Sequence, residues 1–173
     1  MVKKKKFPAE SFVSMMEMVL PNDTNTLNNL MGGRLMHWMD IVSAICAQKH
    51  SNCTVVTASV DNISFKHPIR LGNVVTLKAK VTRAFTSSME VRIEVEAEDI
   101  PSGKKIDSNS AYFTFVAVDH SGNPVPVPEI EPQTAEETSF FEGALRRRQL
   151  RLILANRMRP QDAKELKSIF DIK

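Results

Sequence analysis

Residues 33–49 predict an α-helix that has no polar face. Large apolar side chains surround its axis on every side: Leu35, Met36, Trp38, Met39, Ile41, Val42, Ile45 and Cys46. A helix that is apolar all round is normally buried on all sides. The rest of the chain must therefore cover this helix, either alone or together with a second copy.

Two features of the helix do not serve burial. Asp40 puts a carboxylate in the middle of an apolar segment, and Gly32 and Gly33 stand at its start. A carboxylate in such surroundings suits a general base or a nucleophile. Glycine lets a ligand approach the unpaired N–H groups of a helix N-terminus. The alternative is a buried structural aspartate and a tight turn into the helix.

The segments that follow the helix have the pattern of strands. They are residues 54–65, 74–85, 88–99 and 108–119. In 74–85 and 88–99 every second side chain is apolar, which predicts strands with one buried face. Residues 11–20 suit either a strand or a helix. We expect an α+β fold in which four strands follow the helix as a meander and the helix lies on their curved antiparallel sheet.

The remaining segments suggest three parts of the chain. Residues 1–9 are expected to be a loose basic tail, residues 10–132 one domain, and residues 133–173 a C-terminal helical extension. Within the extension, residues 135–159 predict a helix with glutamates at its start and arginines through its end, as the helix dipole favours. Apolar residues of this helix are expected to pack on the domain or on another subunit: Phe140, Phe141, Leu145, Leu152 and Ile153.

The composition argues against several classes of function. A formal charge of +3 over 173 residues is too small to indicate a nucleic-acid partner. No apolar stretch approaches the roughly 20 residues of a membrane span. Cys46 and Cys53 form no CxxC motif and the four histidines are scattered, so we expect no metal site. Pro8, Glu10 and Glu17 interrupt any signal-peptide core, which favours a cytoplasmic protein with reduced thiols.

Four segments resemble the hotdog-fold acyl-CoA thioesterases of the cytosolic acyl-CoA hydrolase and YciA-like group. They are DTNTLNNLMGGRLMHWMD, VVTASVDNISFKHPIRLGNVV, TSSMEVRIEVEAED and AYFTFVAVDHSGNPVPVPEIEPQTAEE, in the family's order and spacing. The resemblance implies a curved antiparallel sheet wrapped around a central helix, and homodimers that assemble as trimers of dimers. It also implies metal-free hydrolysis of acyl-CoA to a free acid and coenzyme A, with no further cofactor.

The resemblance assigns roles to particular residues. Asp40 resembles the family's general base or nucleophile, and Asn29 resembles the polar residue at the mouth of the site. The family often has glycine at the position of Asn28 and a small or polar residue at that of Leu27. Whether Asp40 activates water or attacks the thioester itself is left open by the sequence.

Helix geometry divides this site between two chains. Asp40 lies about 10 Å along the helix axis from Gly33. Asn29 precedes the helix and does not easily reach Asp40 of the same chain, so we expect the two to come from different subunits. The Gly33 N–H, with Gly32 beside it, is the candidate donor to the oxyanion of the thioester.

Further residues are candidates for substrate contacts. Thr57 and Ser59 are expected to face the site from the next strand. The phosphates of coenzyme A call for basic and hydroxyl groups at the channel mouth, for which the candidates are Lys66, Arg83, Ser87 and Ser88. The alternative for each of these residues is an ordinary strand or surface role.

Other functions compete with this one. A hotdog dimer could bind acyl-CoA without cleaving it, although binding alone needs no carboxylate beside the thioester. A hotdog dehydratase uses a histidine with an acid, and no histidine stands at a matching place. Nucleic-acid binding through the arginine-rich helix would depend steeply on salt, but aromatic residues are not interleaved there. The GxSxG motif of a serine hydrolase is missing.

Overall fold

The computed structural model describes residues 5–61, 63 and 67–168, without the side chains of residues 107 and 108. The helices are α1 (Pro8–Ser11), α2 (Gly32–Ser51), α3 (Ala135–Leu154) and α4 (Lys164–Lys167). The strands are β1 (Lys5–Lys6), β2 (Val13–Met18), β3 (Thr54–Asp61), β4 (Val74–Ala84), β5 (Ser88–Asp99), β6 (Lys104–Val118) and β7 (Glu129–Ile130). The methionine-rich segment after residue 11 is therefore a strand.

The body of the protein is a five-stranded antiparallel sheet with the order β2-β4-β5-β6-β3. β4, β5 and β6 form the expected meander. β3 pairs with β6 instead of β4, so the prediction of a four-stranded meander is wrong at this strand. The cause is α2, which packs across the sheet between β2 and β3 and delivers the chain to the opposite edge. β3 is consequently an edge strand of the single chain.

The predicted alternation of β4 and β5 is confirmed. Their inward side chains are at most 2% exposed: Val75, Leu77, Ala79, Val81, Met89, Val91, Ile93, Val95 and Ala97. One face of α2 packs on them through Leu35, Met39, Val42 and Cys46. Burial raises the pKa of the Cys46 thiol to about 12, so this cysteine is a neutral core residue at physiological pH.

The described residues leave the other face of α2 uncovered. Met36, Ile41 and Ile45 are 41%, 38% and 43% exposed. Within the described part of the chain, the helix is thus buried on one side only, and apolar side chains are exposed on the other side.

The N-terminal residues, expected to form a loose tail, are structured from Lys5 onwards. β1 pairs in parallel with β7, and α1 follows directly. Lys6 Nζ donates to the carbonyl oxygen of Lys49 at 2.8 Å and to Asn52 Oδ1 at 2.7 Å. Because these acceptors lie at the C-terminal end of α2, the lysine stabilises the negative end of the helix dipole.

The C-terminal helix is shorter than predicted. α3 begins at Ala135 as expected, but it ends at Leu154 and not at residue 159. Asn156 adopts a left-handed conformation with φ 54°, and Arg157 N donates to the Leu152 carbonyl at 2.8 Å. Such a left-handed residue terminates a helix, and asparagine tolerates it better than most residues.

A buried ion pair attaches α3 to the outer face of the sheet. Glu90 of β5 is 0% exposed. It accepts hydrogen bonds from Arg147 Nε at 3.0 Å, Arg147 Nη2 at 2.7 Å and Thr82 Oγ1 at 2.6 Å. The Arg147 guanidinium also lies 3.8 Å from the ring centroid of Tyr112. The expected packing of α3 on the domain is confirmed for Phe141, which contacts the core.

We expect Arg147→Met to lower the free energy of unfolding by about 2 kcal/mol, because Glu90 would remain buried without its cation. For a chain of this size that corresponds to a melting temperature roughly 4–8 °C lower, measurable by thermal denaturation. Adding Glu90→Gln should recover part of the loss, since no buried charge is then left. Arg146→Met on the same helix is the control, and equal stability of the two single variants would contradict the prediction.

Candidate active site

The carboxylate of α2 is held by the edge strand of the sheet. Thr57 Oγ1 on β3 donates a hydrogen bond to Asp40 Oδ1 at 2.8 Å. Asp40 is half-buried and Thr57 is exposed. The hydrogen bond orients one oxygen of the carboxylate, and within the described residues no donor reaches the other oxygen. Asp40 is therefore oriented from within the chain and open to a ligand.

Gly33, in the first turn of α2, lies on the same face of the helix as Asp40. Seven residues separate Gly33 from Asp40, which is almost two full turns. Met31 is the N-cap residue and provides no side-chain cap, so the first N–H groups keep their capacity to donate. A Cβ atom at Gly33 would meet no atom within 4 Å. The side-chain position of Gly33 therefore faces open space.

The loop before α2 is built around Asn25. Its Oδ1 accepts the N–H of Leu27 at 2.9 Å and the N–H of Asn29 at 3.2 Å. Asn28 adopts the left-handed conformation within this turn, with φ 57°, which explains how asparagine replaces the family's glycine there. Because the turn uses the oxygen of the Asn25 amide, its Nδ2 group is left to donate outwards.

The loop is anchored on both sides. Leu30 N donates to the Ile69 carbonyl at 2.8 Å, and Leu71 N donates to the Asn28 carbonyl at 3.0 Å. Asp23, only 2% exposed, accepts from Arg34 Nε of α2 at 2.7 Å. The loop is thus fixed both to the segment before β4 and to the first turn of the helix.

Asn29 contributes mainly its backbone. Its carbonyl accepts the N–H of Asn25 at 2.8 Å, and it forms an isolated antiparallel bridge with Arg70. The structure places both asparagines in one turn, and the side chain that organises the turn is that of Asn25. Sequence analysis missed Asn25, although an asparagine followed by a polar run before a helix is a signal for such a turn.

A bulge separates the two β3 residues predicted to face the site. Thr57 pairs with Phe115 and Ser59 pairs with Thr114, with a register shift between them at Ala58. Phe115 and Thr114 are adjacent on β6 and therefore point to opposite faces of the sheet. Their partners do the same, so Thr57 faces α2 and Ser59 faces the outer side of the sheet. The expectation that both line the site is therefore wrong for Ser59, because the extra residue reverses the alternation.

Arg83 and Ser88, predicted to contact coenzyme A, lie on the outer face of the sheet beneath α3. Arg83 Nη1 donates to the Phe141 carbonyl at 2.9 Å, and its guanidinium lies 4.0 Å from the Phe141 ring centroid. Arg148 Nη1 donates to Ser88 Oγ at 3.3 Å. Burial lowers the pKa of both arginines from the usual value. In the single chain these side chains hold α3 and do not join Asp40.

Ser87, another predicted contact, is not brought to Asp40 either. Ser87 lies in the turn between β4 and β5, where its carbonyl accepts the N–H of Ala117 at 2.9 Å. Lys66 lies outside the described residues. The structure thus brings Thr57 to Asp40, whereas Gly32 and Gly33 begin the same helix about 10 Å away along its axis.

Two structural findings bear on other classes of function. Within the described ranges, no group of three or more His, Cys, Asp or Glu side chains is arranged to hold a metal ion. None of the described helices is long and apolar enough to cross a membrane. The described chemistry of the site consists of a carboxylate, a hydroxyl and backbone donors.

A long helix packed against one face of a curved antiparallel sheet is the arrangement of the hotdog class, and comparisons with known proteins identify the family. Residues 27–104 match the thioesterase superfamily. The chain is 40% identical over 142 residues to the uncharacterised acyl-CoA thioester hydrolase YkhA of Bacillus subtilis, covering 82% of this chain and 83% of that protein. The protein belongs to the thioesterase superfamily, and the resemblance to its acyl-CoA hydrolases is confirmed.

Other relatives agree with this assignment. Acyl-coenzyme A thioesterase 11 of mouse is 42% identical over 144 residues, which cover 83% of this chain but only 24% of that protein. A hexameric acyl-CoA thioesterase superposes with a TM-score of 0.85 at 37% identity, covering 88% of this chain and 97% of the other. An acyl-CoA hydrolase from Staphylococcus aureus, solved with butyryl coenzyme A, gives 0.81 at 37% identity, with coverages of 88% and 94%.

Proposed function

We propose that the protein hydrolyses acyl-CoA thioesters to a free acid and coenzyme A in the cytosol, without a metal or another cofactor. The observation that carries this proposal is Asp40, whose carboxylate accepts a hydrogen bond from Thr57 on the edge strand β3. Relatives named as acyl-CoA hydrolases support it.

The test is a spectrophotometric free-thiol assay with acyl-CoAs from C2 to C18. We expect thiol release that is proportional to enzyme and independent of added metal. Binding of acyl-CoA without release at any chain length would contradict hydrolysis and would favour a sensing module. The chain-length profile identifies the preferred acyl group.

The proposed mechanism uses two groups, a backbone N–H and a carboxylate, which different copies of the chain supply because the two lie about 10 Å apart along α2 of one chain. The Gly33 N–H polarises the thioester carbonyl and stabilises the tetrahedral oxyanion. Asp40 either takes a proton from water as the water attacks the carbonyl carbon, or attacks that carbon itself to give an anhydride that water then cleaves. In both routes the C–S bond breaks and coenzyme A leaves as the thiol. A single turnover in ¹⁸O-labelled water tests direct attack: when water cleaves the anhydride at the Asp40 carbonyl, the label enters Asp40 and an unlabelled oxygen of Asp40 leaves in the acid, whereas general-base catalysis puts the label only into the acid.

Spacing favours Asn25, and not Asn29, as the asparagine at the mouth of the site. Structures of the Staphylococcus aureus hydrolase include alanine variants of an asparagine, an aspartate and a threonine. That asparagine precedes the aspartate by 15 residues and the threonine follows it by 17. In this chain Asn25 and Thr57 stand at those distances from Asp40. We therefore assign Asn25 as a donor through Nδ2.

A second copy of the chain is proposed to complete the site. It would cover the exposed face of α2 and bring its own Asn25 loop towards Asp40. The open edge of β3 and the exposed Ile41 and Ile45 support this arrangement. The hexameric relative is consistent with further assembly into a trimer of dimers.

We expect Ile45→Asp to dissociate the dimer, because the substitution buries an unpaired charge in an apolar contact. Light scattering coupled to size-exclusion chromatography measures the mass, and hydrolysis should fall together with the dimer fraction. Leu154→Asp is the control, since Leu154 is 76% exposed at the end of α3. An Ile45→Asp protein with the wild-type mass would reject this interface.

A further inference from the structure

The arginine-rich helix α3 contacts the strand that holds the catalytic carboxylate. We infer that Arg151 is a positioning residue for hydrolysis: through Asp61 it fixes the register of β3 and thereby holds Thr57 against Asp40. The inference rests on the proposed function, because it concerns the orientation of the proposed base.

The contact is a partly buried ion pair. Arg151 Nη1 donates to Asp61 Oδ2, and the two side chains are 18% and 21% exposed. Asp61 is the last residue of β3 and pairs with Tyr112 on β6. The ion pair therefore attaches the end of β3 to the helix on the outer face.

β3 has two features that leave its register weakly fixed within one chain. In the described chain it pairs with β6 alone, and it contains a bulge at Ala58, between Thr57 and Asp61. If β3 slipped by one residue along β6, its side chains would turn to the opposite face of the sheet. Thr57 would then leave Asp40, whose carboxylate it meets at 2.8 Å. A fixed point beyond the bulge prevents this slip.

α3 can serve as the fixed point because it is itself anchored elsewhere. Arg147, four residues before Arg151, lies on the same face of the helix and binds the buried Glu90 of β5. The two arginines thus connect β5 in the middle of the sheet to β3 at its edge. This gives the arginine-rich helix a role within the protein that requires no nucleic acid.

The test separates positioning from general stability. Arg151→Gln should lower kcat roughly tenfold, which is less than the hundredfold that a displacement of about 1 Å can cost, while KM changes less than about twofold. Arg151→Lys, which keeps the charge pair, should retain most of kcat. Arg148→Gln is the matched control, one turn away on α3, because Arg148 contacts Ser88 of β5 and not β3.

A double-mutant cycle with Thr57→Val tests whether Arg151 affects kcat through Thr57. If Arg151 acts through Thr57, Arg151→Gln should cause little further loss of kcat in the Thr57→Val protein. Independent, multiplicative losses, or an unchanged kcat in Arg151→Gln, would overturn the inference. The proposed function fails by a different result, namely a normal rate for a protein that lacks Asp40.

Discussion

Replacing Asp40 with alanine is expected to lower kcat by about a thousandfold, within the range of acid–base and nucleophilic groups. Neither Thr57 nor the Gly33 N–H can accept a proton from water or attack a carbonyl carbon in its place. KM should change much less, because the acyl chain and coenzyme A bind mainly through other contacts. The measurement is the thiol-release assay, performed on the acyl-CoA that the wild type prefers.

Asp40→Asn is the matched control for this result. The amide has the shape of the carboxylate, and its oxygen still accepts the Thr57 hydrogen bond, but it has no negative charge. A loss comparable to that of Asp40→Ala would assign the effect to the charge and not to packing in α2. A near-normal rate for either variant would reject Asp40 as the base or nucleophile. Retained binding of coenzyme A by both variants would show that the pocket is intact.

The parts of the fold that depend on local patterns were predictable. β5 has the predicted limits, residues 88–99, because its alternation is unbroken and turns flank it. α2 was predicted from its apolar residues, and it continues to Ser51, where Asn52 adopts φ 56° and ends it. Where an element has a clear periodicity of its own, the sequence is sufficient to predict its type and approximate bounds.

The position of β3 and the faces of its residues were not predictable in the same way. Pairing of β3 with β6 is a contact between distant segments, and no local pattern encodes it. The bulge at Ala58 inserts one residue and reverses the alternation, so Ser59 faces away from Thr57. Arg83 was predicted to contact coenzyme A but lies beneath α3 for a related reason: the helix that covers it lies nearly 60 residues later in the chain. Such non-local contacts decide which face of a strand becomes a site.

The site was predictable where helix geometry defines it and not where a loop does. Gly33 and Asp40 share a face because of the helical repeat alone. The asparagine loop has no repeat, and its shape depends on one side chain that bonds to its own backbone. Three asparagines within five residues look equivalent in the sequence, whereas in the structure Asn25 organises the turn, Asn28 adopts the left-handed conformation and Asn29 closes the turn.

Asn25→Asp is expected to lower kcat by roughly a hundredfold, the scale of losing one oxyanion donor. The substitution keeps Oδ1, which accepts the N–H groups of Leu27 and Asn29 and so preserves the turn. It removes the Nδ2 donor and places a negative charge where the developing oxyanion needs a positive dipole. The thiol-release assay measures the loss, and unchanged melting behaviour shows that the loop is still folded.

Asn29→Ala distinguishes between the two asparagines. Because Asn29 acts in the turn through its backbone N–H and carbonyl, removal of its side chain should leave kcat within about twofold of the wild type. If Asn29→Ala instead lost activity and Asn25→Asp retained it, the donor would be Asn29, and the spacing to Asp40 would not identify the site. Mixing inactive Asn25→Asp with inactive Asp40→Ala subunits extends the test. A site shared between two chains should regain activity in mixed dimers, because each mixed dimer contains one site with both residues intact.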